Sequence, residues 1–112
     1  MADETSLIRE LAARQLAAYN AADLDAFCAC YHPEVVVEND GEVTLQGIEA
    51  FRARYRAMFD AGGFSATVDE RLAHGAHCVD REDYRRADGT EGRVLVHYTL
   101  REGLIGRVQF WR

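Results

Sequence analysis

LAAYNAADLDAFCACYHPEVVVEND, residues 16–40, decides the architecture. Apolar residues at helical spacing run as far as Tyr19, and Asn20 breaks the pattern. Asn20 or Asp23 then caps a second, short helix, because a side-chain oxygen at that place accepts a free N–H of the first turn. Leu24, Phe27, Cys28 and Tyr31 supply the apolar side of this helix. Pro33 ends it, since the residue before a proline is pushed out of the helical region. Glu34 to Asn39 follows as a strand, and the run Val35-Val36-Val37 marks it as buried. NDGE, residues 39–42, is a turn signal. Polar groups at the end of a buried strand raise the functional question. They are either an ordinary turn or groups delivered to a cavity.

The pattern extends in both directions. Residues 4–20 form the first helix, with Thr5 or Ser6 as its cap and Leu7, Ile8, Leu11, Ala12, Leu16, Ala18 and Tyr19 on one side. Gln15 falls in the middle of that stripe, so its amide must find partners or line a cavity. Beyond the turn, Val43 to Leu45 makes a short returning strand. Gly47 opens a third helix to about Asp60, with Ile48, Phe51, Tyr55, Met58 and Phe59 on one face. Four strands follow. In residues 64–72, Phe64, Ala66, Val68 and Leu72 alternate with Ser65, Thr67, Asp69 and Arg71. Residues 78–86 form a strand of unusual polarity, ADGT makes a hairpin, and residues 92–101 and 104–111 complete the set. Short connections imply an antiparallel meander. The expected fold is α+β: a cone of curved antiparallel sheet packed against three helices. Such a bent sheet encloses a cavity, and Gln15 and Tyr55 point into it.

Composition narrows the function. The chain has 112 residues, a length suited to one domain, with 48% hydrophobic and 29% charged residues. A net charge of −6 argues against unaided binding to nucleic acid or to an anionic membrane. No apolar run approaches the roughly 20 residues of a membrane span. The first ten residues lack the basic and apolar regions of a signal peptide, so the expected location is the cytoplasm. Cys28, Cys30 and Cys78 read as small buried hydrophobes rather than a disulfide framework.

Three stretches carry a family resemblance: residues 16–40, LQGIEAFRARYRAMF at 45–59 and HYTLREGLIGRVQFW at 97–111. Together they resemble the nuclear transport factor 2-like superfamily, which includes ketosteroid isomerase and the SnoaL-like polyketide cyclases; the resemblance implies a cystatin-like α+β roll. The resemblance lies in order and spacing over nearly the whole chain. In ketosteroid isomerase a tyrosine on the first helix donates to the substrate oxyanion, and the matching position is Gln15. Two supporting tyrosines, one ending the second helix and one on the third, correspond to Tyr31 and Tyr55. The family's general base matches Asn39, with Asp40 beside it, and its protonated aspartate matches Val96. Glutamine can still donate, but asparagine cannot act as a base.

Each candidate has a plainer reading. Asn39 and Asp40 suit an Asx-type turn into Gly41. Strand alternation points Asp40 away from the Val35–Val37–Asn39 face unless a bulge reverses it. Asn39 alternatively orients a water, as asparagine does in the related limonene-epoxide hydrolases. Gln15, Tyr31 and Tyr55 either bond one another or orient a ligand. His97 faces outward if Tyr98 faces the cavity. His74 and His77 have a metal-like spacing, but they span a turn and no third ligand lies nearby in sequence. The alternating charges of VDREDYRR, 79–86, suit cross-strand pairs on a solvated face, although Glu82 and Tyr84 would line the cavity in the opposite phase.

The leading expectation is a cofactor-independent isomerase or cyclase acting on a small apolar carbonyl compound, with no metal. Asp40, or a water held by Asn39, moves the proton. Gln15, Tyr31 and Tyr55 orient the oxygen, and Tyr19, Phe59, Val96, Tyr98, Val108 and Phe110 form the ligand-binding wall. A non-catalytic binding domain, or hydrolysis through a positioned water, are the alternatives. Val36, Leu95 and Trp111 make the outer sheet face apolar, which implies a homodimer through that face.

Overall fold

The computed structural model describes residues 3–112. Helix α1 spans Glu4–Asn20 and is capped by Asp3, whose carboxylate accepts from the Ser6 amide at 2.8 Å. The cap thus lies one place before the helix, not at Thr5 or Ser6. Thr5 accepts from the Gly75 amide instead. Ile8, Leu11, Ala12, Gln15 and Ala18 are the buried side of α1. Asn20 does not cap α2. Its side chain makes two bonds of 2.8 Å to the Ala66 backbone and ties the end of α1 to the sheet.

Helix α2 is a short piece, Leu24–Cys28, capped by Asp23. It ends before Tyr31, so the chain is already extended two residues ahead of Pro33. Strand β1 runs Tyr31–Asn39. Tyr31 therefore begins a strand rather than ending a helix. The restriction a proline places on its predecessor acts inside a strand here, where an extended backbone already satisfies it. Asp40 and Gly41, with φ of 49° and 87°, form the two-residue turn into β2, Glu42–Gln46. Positive φ at both central positions matches the twist of a tight hairpin, which explains the Asp-Gly pair. Helix α3 is Ile48–Ala61. The remaining strands are β3 (Ser65–His74), β4 (His77–Arg85), β5 (Glu91–Arg101) and β6 (Leu104–Trp111).

The six strands lie in the order β2-β1-β6-β5-β4-β3. The meander β3 to β6 is antiparallel, as is β1 with β2. The join between β1 and β6 is parallel, which departs from an all-antiparallel sheet. A strand that pairs early in the chain with the last strand of a meander is not bound by hairpin geometry.

Register breaks in β1, β3 and between β5 and β6 bend the sheet. The break in β3 changes the side-chain phase. Val68 opposes Glu82 and Glu70 opposes Arg81, so Asp69 is an extra residue. Beyond it Arg71 turns inward to Asp80, and Leu72 is 74% exposed. Strict alternation had placed those two the other way. Helices and concave face enclose an aromatic core in which Phe27 touches the rings of Tyr31, Phe51, Tyr55 and Phe59. All three cysteines are free and buried.

Candidate functional site

A cavity of about 780 Å³ lies between the helices and the concave sheet face. Gln15, Tyr19, Tyr31, Asn39, Tyr55, Tyr98, Val108 and Phe110 line it. Strand phase explains the sheet's share. Val94, Val96 and Tyr98 point inward from β5 and are buried, whereas Leu95 is exposed.

One hydrogen-bonded chain organises the floor. The Tyr31 hydroxyl donates to Gln15 Oε1 at 2.8 Å, and Gln15 Nε2 donates to the Tyr98 hydroxyl at 2.9 Å. Nε2 also donates to the Ala12 carbonyl at 3.1 Å. A carbonyl only accepts, so this bond sets the orientation of the amide. Both amide hydrogens are then occupied, and Gln15 has none left for a ligand. The donor role passes to Tyr98. Its oxygen accepts from Gln15, and among the described residues no side chain or carbonyl takes its proton. Each donor in such a row is strengthened by the bond it accepts. Burial, followed by the Glu82 charge, holds the Tyr98 phenol well above its ordinary pKa, so it stays a neutral donor. Tyr55 also lines the cavity with no hydrogen bond to the described residues, and burial raises its pKa to about 12.

Glu82 is the residue the sequence leaves ambiguous. It sits on the inner face of β4 and lines the cavity. Among the described residues its carboxylate has neither a hydrogen bond nor an ion pair. Burial pushes its pKa up to about 7, the nearby Asp80 charge adds to this, and Arg112 opposes it. Asp80 is fully buried and held by Arg71 through bonds of 2.7 and 2.9 Å. Adjacent carboxylates on one strand face therefore differ in kind: Asp80 is neutralised by a guanidinium, and Glu82 has only the cavity. The opposite face of β4 carries the surface pairs, Arg81 with Asp69 and Asp83 with Arg93. VDREDYRR is thus both a solvated charge ladder and a cavity wall, in alternate phases. Cys78 and Tyr84, in phase with Asp80 and Glu82, are the apolar marks that identify the inner set. Tyr84 lies flat across Gly92 on β5, where a Cβ would collide with its ring.

Three expected residues fall elsewhere. Asp40 is exposed, and its carboxylate accepts from the Arg112 amide at 2.9 Å. Its positive φ in the tight turn directs it away from the cavity, so it cannot serve as the base there. The register break in β1 lies between Val37 and Glu38, before the turn, and leaves Asn39 on the cavity side. Phe59 is buried in the aromatic core, against Phe27 and Phe64, and does not line the cavity. Val96 is fully buried opposite Asp80 and does not line the cavity. Asn39 lies at the rim, where its amide donates to Thr44 at 2.8 Å.

His74 and His77 oppose each other across the β3–β4 hairpin, but His77 Nδ1 sits 2.9 Å from Nε2 of His97 on the outer face. Among the described residues no three His, Cys, Asp or Glu side chains gather as metal ligands would. No helix among them is long and apolar enough to cross a membrane.

The family model for the SnoaL-like domain matches residues 12–108. The chain belongs to the SnoaL-like domain family. No curated protein matches this SnoaL-like chain. Solved structures do. A cystatin-fold protein from Novosphingobium aromaticivorans is 25% identical, with all of both chains covered and a TM-score of 0.84. A ketosteroid isomerase candidate from Kribbella flavida is 20% identical over 97% of this chain and 79% of its own, with a TM-score of 0.84. A LEH-like epoxide hydrolase from Mycobacterium tuberculosis is 20% identical over 96% and 84%, also with a TM-score of 0.84. These likenesses establish the nuclear transport factor 2-like fold of the SnoaL-like domain. Proteins of that fold differ in chemistry, so the site must supply the activity.

Proposed function

We propose that this SnoaL-like protein moves a proton next to the carbonyl of a small, mostly apolar compound, as an isomerase or cyclase does. One observation carries the reading: Glu82, a carboxylate with no partner among the described residues, shares the cavity with the phenol protons of Tyr98 and Tyr55, which no described residue accepts. Glu82 is the base, in place of Asp40. With a pKa near 7 it is ionised often enough to accept a proton at neutral pH, and basic enough to take it. The α C–H bond breaks, its proton passes to the Glu82 carboxylate, and its electron pair moves onto the carbonyl oxygen. Tyr98, polarised through Gln15 and Tyr31, donates to that oxygen, and Tyr55 is the second donor. Glu82 then returns the proton to another carbon of the enolate, or the enolate carbon attacks a second carbonyl, closes a ring, and the alkoxide so formed takes the proton back from Glu82. Tyr19, Val108 and Phe110 supply the apolar wall, which keeps water from the enolate.

The test needs no natural substrate. Incubating β-tetralone in D2O reads exchange of its α hydrogens by NMR. The wild-type protein is expected to accelerate exchange and Glu82→Gln to abolish the acceleration. Equal rates with both proteins would remove Glu82 as the base and favour a non-catalytic binding domain of the same fold.

A further inference from the structure

The chain has thirteen arginines and no lysine. Eight of the arginines pair with carboxylates: Arg14, Arg52, Arg71, Arg81, Arg85, Arg93, Arg101 and Arg107. Five have no such partner among the described residues: Arg9, Arg54, Arg56, Arg86 and Arg112. Three of these five, Arg54, Arg86 and Arg112, line the cavity, as does Arg85, which pairs with Glu91. The three arrive from separate places: α3, the β4–β5 hairpin and the end of β6. Two are steadied on its aromatic wall, with the Arg86 guanidinium 5.1 Å from the Tyr84 ring centre and that of Arg112 5.4 Å from Phe110. Among the described residues Glu82 is the only acidic side chain lining the cavity.

A protein of net charge −6 thus concentrates uncompensated positive charge at one opening. Eight of the other ten arginines are neutralised by a neighbouring carboxylate. Arg54, Arg86 and Arg112 have no carboxylate partner among the described residues, and stacking on a ring holds a guanidinium's plane while leaving its edge donors free. We infer that the ligand is amphipathic: an apolar carbonyl body lies in the cavity, and an anionic group, carboxylate or phosphate, is held at the mouth by Arg54, Arg86 and Arg112. The planar donor fork of arginine fits either oxyanion. The same charge draws an anion toward the opening against the repulsion of the remaining surface. This rests on the proton-transfer reading for the carbonyl end and adds the recognition of the other end.

Calorimetric titration at low salt with naphthaleneacetate, naphthyl phosphate and the neutral naphthaleneacetamide tests it. At least one anion is expected to bind about 10-fold or more tighter than the amide, and to weaken with added salt while the amide does not. Whichever anion binds tighter names the group. The variant R54Q/R86Q/R112Q is expected to bring that anion down to the amide's affinity, and Arg112→Gln alone to lose part of the preference. Equal binding of anion and amide, a preference that survives in the triple variant, or no binding of any probe overturns the inference. Failure of the base is read separately, by β-tetralone exchange in Glu82→Gln.

Discussion

At the residue scale the account turns on where Glu82 keeps its proton. As a base it must be ionised, so kcat/KM for exchange is expected to rise with pH and level off above about 7. Glu82→Gln should lower the rate by roughly 100- to 10,000-fold and flatten the profile. Stability runs the opposite way. Below the ordinary value of 4.5 the group is protonated in both folded and unfolded chains. Between there and about 7 the unfolded chain releases its proton first, so stability falls as pH rises, by up to roughly 3 kcal/mol in all. Glu82→Gln should therefore melt higher than wild type at about pH 8 and alike at about pH 4, as a thermal scan would read. Tyr98→Phe removes the terminal donor, with an expected loss near 100-fold in exchange rate. It also leaves a Gln15 hydrogen without its acceptor, at a cost of about 1–3 kcal/mol seen in denaturant titration. Gln15 and Tyr55 were legible as polar groups on buried stripes. The bonding of Gln15 to Tyr31 and Tyr98 follows from three-dimensional approach, which spacing along one helix does not contain. Glu82 was obscured because charge alternation in VDREDYRR suits a surface ladder equally well, and only the phase of Cys78 and Tyr84 separates the two faces.

At the scale of elements the β3 bulge matters most. One extra residue, Asp69, brings Arg71 inward to meet Asp80 and sends Leu72 to the surface. Period-two reading of the strand assigns both residues to the wrong sides, since a bulge shifts every later side chain by one phase. No residue type within that stretch signals it. The hairpin at Asp40-Gly41 is the contrary case, because positive φ at both positions gives the Asp-Gly pair a physical meaning readable in advance. The bulge supports a test. Arg71→Met leaves Asp80 a buried charge without its partner, and the expected loss is about 3–5 kcal/mol in urea unfolding. R71M/D80L removes both charges and is expected to recover most of that loss. A double variant no more stable than the single would show that the pair does more than neutralise itself.

At the scale of the whole molecule the order of helices and strands was legible because helical spacing, capping residues and short polar turns agree along the chain. The parallel join of β1 to β6 was not, since it depends on two segments far apart in sequence. The outer face leaves Leu95 and Trp111 more than two-fifths exposed. The homodimer expected from that face predicts that L95E/W111E sediments as a monomer while wild type sediments as a dimer, and a monomeric wild type would reject it. The inner face carries the functional claim: a cavity whose wall holds one carboxylate near neutrality beside fixed phenol donors. Carbon-13 NMR titration of the glutamate Cδ signals, with Glu82 assigned by its disappearance in Glu82→Gln, measures that carboxylate directly. A single step near pH 7 is the predicted result. A midpoint at or below the ordinary value of 4.5 would contradict the account, because the cavity would then hold a weak base of no use for moving a carbon-bound proton.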